Sequence, residues 1–457
     1  MAKKQLTIEE KLQAALVPVE EQPYKVPENW CWVRFDVTAE LKKGPFGSSL
    51  TKAMFVPKGK DTYKVYEQGN AIRKTTQYGS YYITEAKYQE LKNFAINDGD
   101  IIVSCAGTVG ELYKLPSDCE AGVINQALMR VRVSNIVNEF YFINYFSGIM
   151  LQDVVNSSQG TAIKNIPPFK VLKSMPFPMP PQREQSRIVA RIESLFAKLD
   201  EAKEKIQEVL DGADLRRAAI LHQAFTGKLT EKWRKEKNIS IADWKEKTLK
   251  DCCRIGSGGT PSRKYPAFYR GDIPWVKTGE INWNELYDTE EHISKEAIDN
   301  SSAKLYRDGA VLVAMYGMGA TRGRAAILRT NATTNQAVCA LETKENLLNQ
   351  FLFYYFMNNY WKIREKAVGG NQLNLSGKII EKLEVKLPVI EEQQEIVRLL
   401  DNLLSREQST VTACEEALTI IDTLKKSILA RAFRGELATN DPADPSAQGL
   451  LQEILEA

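Results

Sequence analysis

Asn165-Ile166-Pro167-Pro168-Phe169 lies one residue away from a pattern that does chemistry. An uninterrupted Asn/Asp-Pro-Pro-Tyr/Phe marks enzymes that methylate exocyclic amino groups of DNA bases, and here an isoleucine splits it. Little else in the chain offers a reacting group. The two histidines, His222 and His292, stand apart and leave little room for a nucleophile–base relay. Seven cysteines, at 31, 105, 119, 252, 253, 339 and 414, form no C-x-x-C pair. Neither a disulfide framework nor a zinc site is expected from them. Cys252 and Cys253 read as small, strand-like core residues. No G-x-G-x-x-G follows a strand-like run, and no G-x-x-x-x-G-K-S/T occurs, so a nucleotide or cofactor loop is not expected.

The elements around these residues are more informative. At about 100–200 residues per domain, 457 residues hold roughly two to four domains. A hydrophobic fraction of 43% and a charged fraction of 26% are ordinary for a soluble globular chain. No long apolar run reads as a membrane span. The stretch MAKKQLTIEEKLQAALVPVEEQ has acidic residues and no apolar core, so it does not read as a signal peptide, and a cytoplasmic location is expected. The net charge of +3 does not by itself point to nucleic acid.

The chain is written twice. Ala224–Leu229 (A-F-T-G-K-L) returns 208 residues later as Ala432–Leu437 (A-F-R-G-E-L), and Arg183–Val189 returns at the same offset as Glu391–Val397. Upstream the offset is 210: Asp98–Gly107 matches Asp308–Gly317, Asn125-Gln126 matches Asn335-Gln336, and Gly160 matches Gly370. Solenoid periods are ~20–50 residues, so this is a duplicated half instead.

One long helix dominates each copy. Ile188, Ile192, Leu195, Leu199 and Ile206 are spaced by alternating fours and threes, and Ile396, Leu400, Leu403, Ile421, Leu424 and Ile428 repeat the pattern. Glu407 and Thr410 interrupt the second seam, whose middle is expected to be looser. Pro180-Pro181 and Gly227 bracket the first helix, Pro388 and Gly435 the second. Each helix runs about 44 residues, or roughly 66 Å. Burying so long a seam needs a partner of equal length, and an antiparallel coiled coil between the copies supplies it. The predicted architecture is therefore α+β: two globular domains, each a mixed β-sheet with short helices, separated by two long antiparallel helices with an approximate two-fold axis.

Before each helix, D-G-D-I-I-V-S-C-A-G and D-G-A-V-L-V-A-M-Y-G read as buried strands punctuated by glycine. The segments that differ most between the copies are rich in basic, hydroxyl and aromatic residues. Lys and Arg meet phosphates, and Arg, Gln, Asn, Ser and Thr can read base edges. The candidate DNA contacts in the first half are Lys42, Lys43, Ser48, Ser49, Lys52, Arg73, Lys74, Gln77 and Tyr78. Those in the second half are Ser257, Thr260, Ser262, Arg263, Lys264, Tyr265, Lys277, Thr278, Tyr316, Arg322 and Arg324. No catalytic and no metal-binding residue is assigned.

These features closely resemble the specificity subunit of type I restriction–modification systems. The resemblance rests on two helix starts, M-P-P-Q-R-E-Q-S-R-I-V and L-P-V-I-E-E-Q-Q-E-I-V. It rests equally on two helix ends, Ala219–Arg234 and Ser427–Leu437, and covers all but the first ~20 residues and the tail after Ala438. It implies an N-terminal extension at 1–23, a target recognition domain at 24–180, a central helix and connector at 181–234, a second recognition domain at 235–388, a long helix at 389–438 and a tail at 439–457. It also implies that each domain reads half of a split DNA target, that the helices set the unread spacer, and that the chain itself is not catalytic. The helix length corresponds to about 19 base pairs at 3.4 Å per step. The implied partners are double-stranded DNA, two methyltransferase subunits and, in the full complex, two restriction subunits. S-adenosylmethionine, ATP and Mg²⁺ would belong to those partners, with no cofactor in this chain. Two other readings remain open to the residues: an autonomous DNA adenine methyltransferase, which lacks its two motifs here, and a coiled-coil scaffold that binds protein instead of DNA. The counterpart of Asn165–Phe169 is Leu375-Ser376-Gly377, so the segment reads as a proline-stiffened turn leading through a strand-like run to the first long helix.

Overall fold

The glycine-bracketed apolar runs form the central strands of two sheets in a computed structural model that describes residues 7–151, 166–317, 319–367 and 374–456. In the first half, Ile101–Ser104 lies between Leu128–Val133 and Leu112–Lys114, and Ala39–Lys43 flanks Leu128–Val133; all pairings are antiparallel. In the second half, Val311–Ala314 lies between Val338–Thr343 and Ala325–Leu328. Cys253–Ser257 and Asn284–Leu286 extend that sheet to five strands. Every side chain of both central strands is buried, which is why they read as unbroken apolar runs. The repeat extends to register. Val103 faces Met129 as Val313 faces Cys339, and the parallel pair Val65–Val123 returns as Trp275–Thr333. The expected short helices are Glu85–Glu90 and Lys295–Asp299, capped by Thr84 and Ser294.

The chain divides into two compact units, residues 1–205 with 417–457, and residues 206–416. Each unit combines one globular domain with the start of one long helix and the end of the other. The terminal segments set apart in the sequence meet in the first unit. Helix Ile8–Ala15 packs against Ala447–Glu456, the Ala447 N–H donates to the Asn29 carbonyl at 3.0 Å, and Arg187 pairs with Asp444.

The second long helix is continuous over the 43 residues Ile390–Ala432. The first runs Gln182–Asp211 and resumes as Ala213–Phe225, with Gly212 between them. Backbone bonds from Gly212 to Glu208 at 3.2 Å and from Arg216 to Gly212 at 3.0 Å carry the helix direction through. Glycine is the weakest helix former short of proline, and the interruption falls on it. Within each unit the helices run antiparallel: Glu184 meets Asn440 and Lys203 meets Asp422, while Thr230 meets Glu392 and Arg216 meets Glu407.

Seam burial is uneven. Ile188 and Ile192 belong to the core of the first domain, and Ile396 and Leu400 to that of the second, so the helix starts pack into globular cores. Ile421 is buried, while Leu195, Leu199, Ile206, Leu403 and Ile428 are half-buried. Leu424, at 44% exposure, faces outward and leaves the seam.

The Glu-Gln pair opening each helix explains the lock between helix and domain. Gln185 Oε1 accepts from the Asn138 N–H at 2.5 Å, and its Nε2 donates to the carbonyls of Ile136 (3.3 Å) and Pro180 (3.1 Å). Gln393 repeats this with Leu348, Asn346 and Pro388, each at 3.0 Å. Trp30 Nε1 donates to Glu184 at 2.7 Å, and Trp244 Nε1 to Glu392 at 2.9 Å. Glutamate and glutamine are fully buried in both places, and buried polar groups persist only where such partners are supplied.

Candidate nucleic-acid interface

The loops that diverge between the copies leave the same strand ends. After Ala39–Lys43 the chain passes so close to the Asn125-Gln126 turn that a Cβ on Gly44 would meet the Asn125 carbonyl at 1.8 Å; only glycine fits. Lys42 places its Nζ 5.3 Å from the Phe94 ring, and Lys43 is exposed at the strand end. Beyond them Phe46, 87% exposed, precedes the turn Gly47–Ser49, where Ser48 is exposed and Ser49 half-buried; Lys52 is exposed in the next turn. In the second loop Arg73 and Gln77 are exposed and Tyr78 is half-buried, with the Arg73 guanidinium 4.6 Å above the Tyr78 ring. Lys74 turns back to Glu111 at 2.7 Å.

The second domain ties up more of its charge. Ser257 ends a strand, and the Thr260 hydroxyl bonds to Gln336. Ser262, Arg263, Lys264 and Tyr265 are exposed together, with Tyr265 against Phe268 at 5.2 Å. Arg263 lies 3.9 Å over the Tyr269 ring and bonds Glu291 at 2.7 Å; Lys277 reaches the same carboxylate at 3.1 Å and Glu290 at 2.9 Å. Burial alone would raise the Glu291 carboxyl, but Lys277 and Arg263 outweigh it and hold it below its usual range. Thr278 opens the turn that follows, half-buried. Tyr316, also half-buried, packs on the second core.

Arg322 and Arg324 face a different set of partners. The Arg322 carbonyl accepts from Arg364 Nη1 at 2.5 Å, and Arg364 Nη2 reaches the Gly319 carbonyl at 2.7 Å. Arg324 bonds Asn282 and lines a groove with Trp283, Tyr360, Trp361 and Leu404, beside the helix pair.

Several residues escaped sequence reasoning. Gln126 and Gln336 are exposed at the tip of one identical turn, in which Asn125 and Asn335 each accept from the N–H two residues on at 3.0 Å. The repeated Asn-Gln-Ala was the signal that could have found them. Buried Asn70 and Lys64 beneath the 71–82 loop carried no such signal, because a lone polar residue in an apolar run does not announce its partners.

The would-be methylation motif is structural. Asn165 lies outside the described residues. The Ile166 N–H donates to the Cys105 carbonyl at 3.2 Å, as Leu375 does to Met315 at 3.0 Å. Pro168 then caps helix Phe169–Ser174, the place that Ser376 takes before Gly377–Glu381. A short helix, not a strand, follows the prolines, and strand Pro176–Met179 comes after it. Burial pushes the Cys31, Cys105, Cys253 and Cys339 thiols up to about 12, which keeps them protonated core groups. Among the described residues, no helix is long and apolar enough to cross a membrane.

Two copies of one α+β domain, each locked to a long helix and each presenting its own polar loops, define a duplicated recognition scaffold. The model of the type I restriction modification DNA specificity domain matches this chain twice, at residues 47–211 and 241–415, and the chain belongs to that family. The EcoKI specificity subunit of Escherichia coli K12 is 24% identical, over 94% of this chain and 96% of its own length. The EcoBI specificity subunit of Escherichia coli is 26% identical over 73% of this chain and 75% of its own. The HsdS subunit from Thermoanaerobacter tengcongensis shares the fold, with a TM-score of 0.62 at 19% identity over 92% of this chain and all of that one.

Proposed function

We propose that this chain is the DNA-recognition subunit of a type I restriction–modification complex. Each globular domain reads one half of a split target, at 24–180 and 235–388, and the long helices set the unread spacer. The helices also dock two methyltransferase subunits, joined in the full complex by two restriction subunits. The observation that carries this reading is the doubled match to a DNA specificity domain, on domains whose strand registers repeat while their exposed loops differ. A repeated scaffold holds two readers alike, and different loops let the two half-sites differ. Methyl transfer from S-adenosylmethionine and ATP-driven cleavage with Mg²⁺ belong to the partners; this chain aims them, in the cytoplasm.

Co-expression with the methyltransferase partner, followed by long-read mapping of methylated adenines, tests the reading. A single split, asymmetric motif is the expected result. Methyl transfer to DNA by the purified chain alone, with labelled S-adenosylmethionine, would overturn it.

A further inference from the structure

The loop after residue 72 is held from beneath by buried donors. Asn70 is 0% exposed, and its side-chain oxygen and nitrogen both have partners. Its Oδ1 accepts from the Glu67 N–H at 2.8 Å, and its Nδ2 donates to the carbonyls of Thr75 at 2.9 Å and Tyr78 at 3.0 Å. Lys64, 2% exposed, donates from Nζ to the Gly79 carbonyl at 3.2 Å. The Tyr78 ring lies flat against Gly69, where an added Cβ would stand 2.1 Å from a ring carbon. The carbonyls of Thr75, Tyr78 and Gly79 are thus all drawn inward. A buried hydrogen-bond network of this kind selects one loop conformation.

The side chains that remain outside are not equivalent. Lys74 adopts a left-handed backbone (φ 51°), and its ammonium is spent on Glu111 at 2.7 Å and the Leu112 carbonyl at 2.5 Å. Arg73 is exposed and stacked on Tyr78, with no ion-pair partner among the described residues. Gln77 is exposed, its backbone N–H fixed by the Thr75 hydroxyl at 3.1 Å. A guanidinium makes a two-point contact with guanine in the major groove, and a carboxamide makes one with adenine. We infer that Arg73 and Gln77 form the base-reading pair of the first domain, and that Asn70 and Lys64 are positioning residues that hold their loop in the reading conformation. This assignment rests on the DNA-recognition reading above.

The test uses the full chain assembled with its methyltransferase partner and duplexes carrying the target mapped from methylated DNA. Binding and methylation are measured on the intact target and on every single-base substitution in each half-site. Arg73→Ala and Gln77→Ala should each lose roughly 5- to 150-fold for one base pair of the first half-site and no longer discriminate there. Asn70→Asp keeps the shape but points an acceptor at two carbonyls, and it should flatten discrimination across the whole first half-site. Partner assembly and discrimination at the second half-site should persist in all three variants, which a general loss of folding would not allow. If Asn70→Asp damages both half-sites, the two surface variants decide the assignment of the reading pair. Unchanged first-half profiles in Arg73→Ala and Gln77→Ala, against a discriminating wild type, overturn the assignment alone. A wild-type complex without half-site discrimination overturns the DNA-recognition reading, and this assignment with it.

Discussion

Arg216 grips Glu407 at two points: its Nε lies 3.0 and 3.2 Å from the two carboxylate oxygens, and its Nη2 lies 2.7 Å from one of them. Glu407 occupies a seam position where the heptad asks for an apolar residue, and the sequence reads there as a loose spot. There the helix pair meets through a forked ionic contact, a geometry that guanidinium and carboxylate share. The hydrogen bond from Arg216 holds the Glu407 carboxyl below its usual range.

A carboxyl lowered in the folded state stabilises the protein above its unfolded value near 4.5, and that contribution is lost as pH falls through the lowered one. Glu407→Gln is therefore expected to lower the urea midpoint of the second unit at pH 7, with the gap to wild type closing as pH drops below about 4. Combining it with Arg216→Ala should cost less than the two changes added separately. A gap that stays constant from pH 7 to pH 3 would show that the ion pair contributes nothing.

The second unit also contains a buried ion pair that the first unit replaces. Arg234 bonds Glu392 at 2.6 Å with both side chains buried, whereas Glu184 receives neutral donors from Trp30 and, at 2.8 Å, Asn440. Removing one member of a buried pair strands the other, so Arg234→Met should cost about 3–5 kcal/mol. Asn440→Ala removes one bond to a charged group and should cost about 1.5–3 kcal/mol. Hydrogen exchange read unit by unit is the suitable measurement, since a two-unit chain need not unfold in one step. Faster exchange confined to Lys245–Thr248 and Glu384–Leu387 is expected for Arg234→Met; loosening of both units alike would count against the lock.

Lys264 is exposed beside Arg263, whose charge is already met by Glu291. As a phosphate contact it would add affinity without sequence preference. Lys264→Ala should weaken DNA binding to all sequences equally and reduce the slope of log K against log salt by about 0.9. A change in base preference with an unchanged slope would place Lys264 on a base edge.

What could be read in the sequence divides along the range of the interactions. Glycines at strand ends and the Asn-Gln-Ala turn fix local backbone, so they survive duplication and reveal the repeat. The Glu-Gln helix starts were visible for the same reason, although their bonds to tryptophans far away in sequence were not. Glu407 shows as a break in the apolar seam, but its partner, 191 residues away, is not visible in the sequence. Leu424 fits the heptad, but packing turns it outward. For the candidate contacts, the sequence shows residue type but not partners. Lys74, Arg263 and Lys277 look available by residue type, yet each is spent on a carboxylate supplied by another strand or loop.

The proposed ruler can be tested because the antiparallel pairing constrains how it may be lengthened. Arg216 meets Glu407 and Thr230 meets Glu392, so the residue opposite Leu210 lies near Ala413. Inserting about four residues after Leu210 alone adds one turn to one helix and shifts every pair beyond it. That variant should assemble poorly. A matched insertion of about four residues after both Leu210 and Ala413 keeps the pairs and adds about 6 Å, close to two base pairs of DNA. Methylation mapping should then show a spacer longer by about two base pairs, with both half-site sequences unchanged. If the matched variant assembles with its partner and still methylates only the original spacing, the helices do not set it.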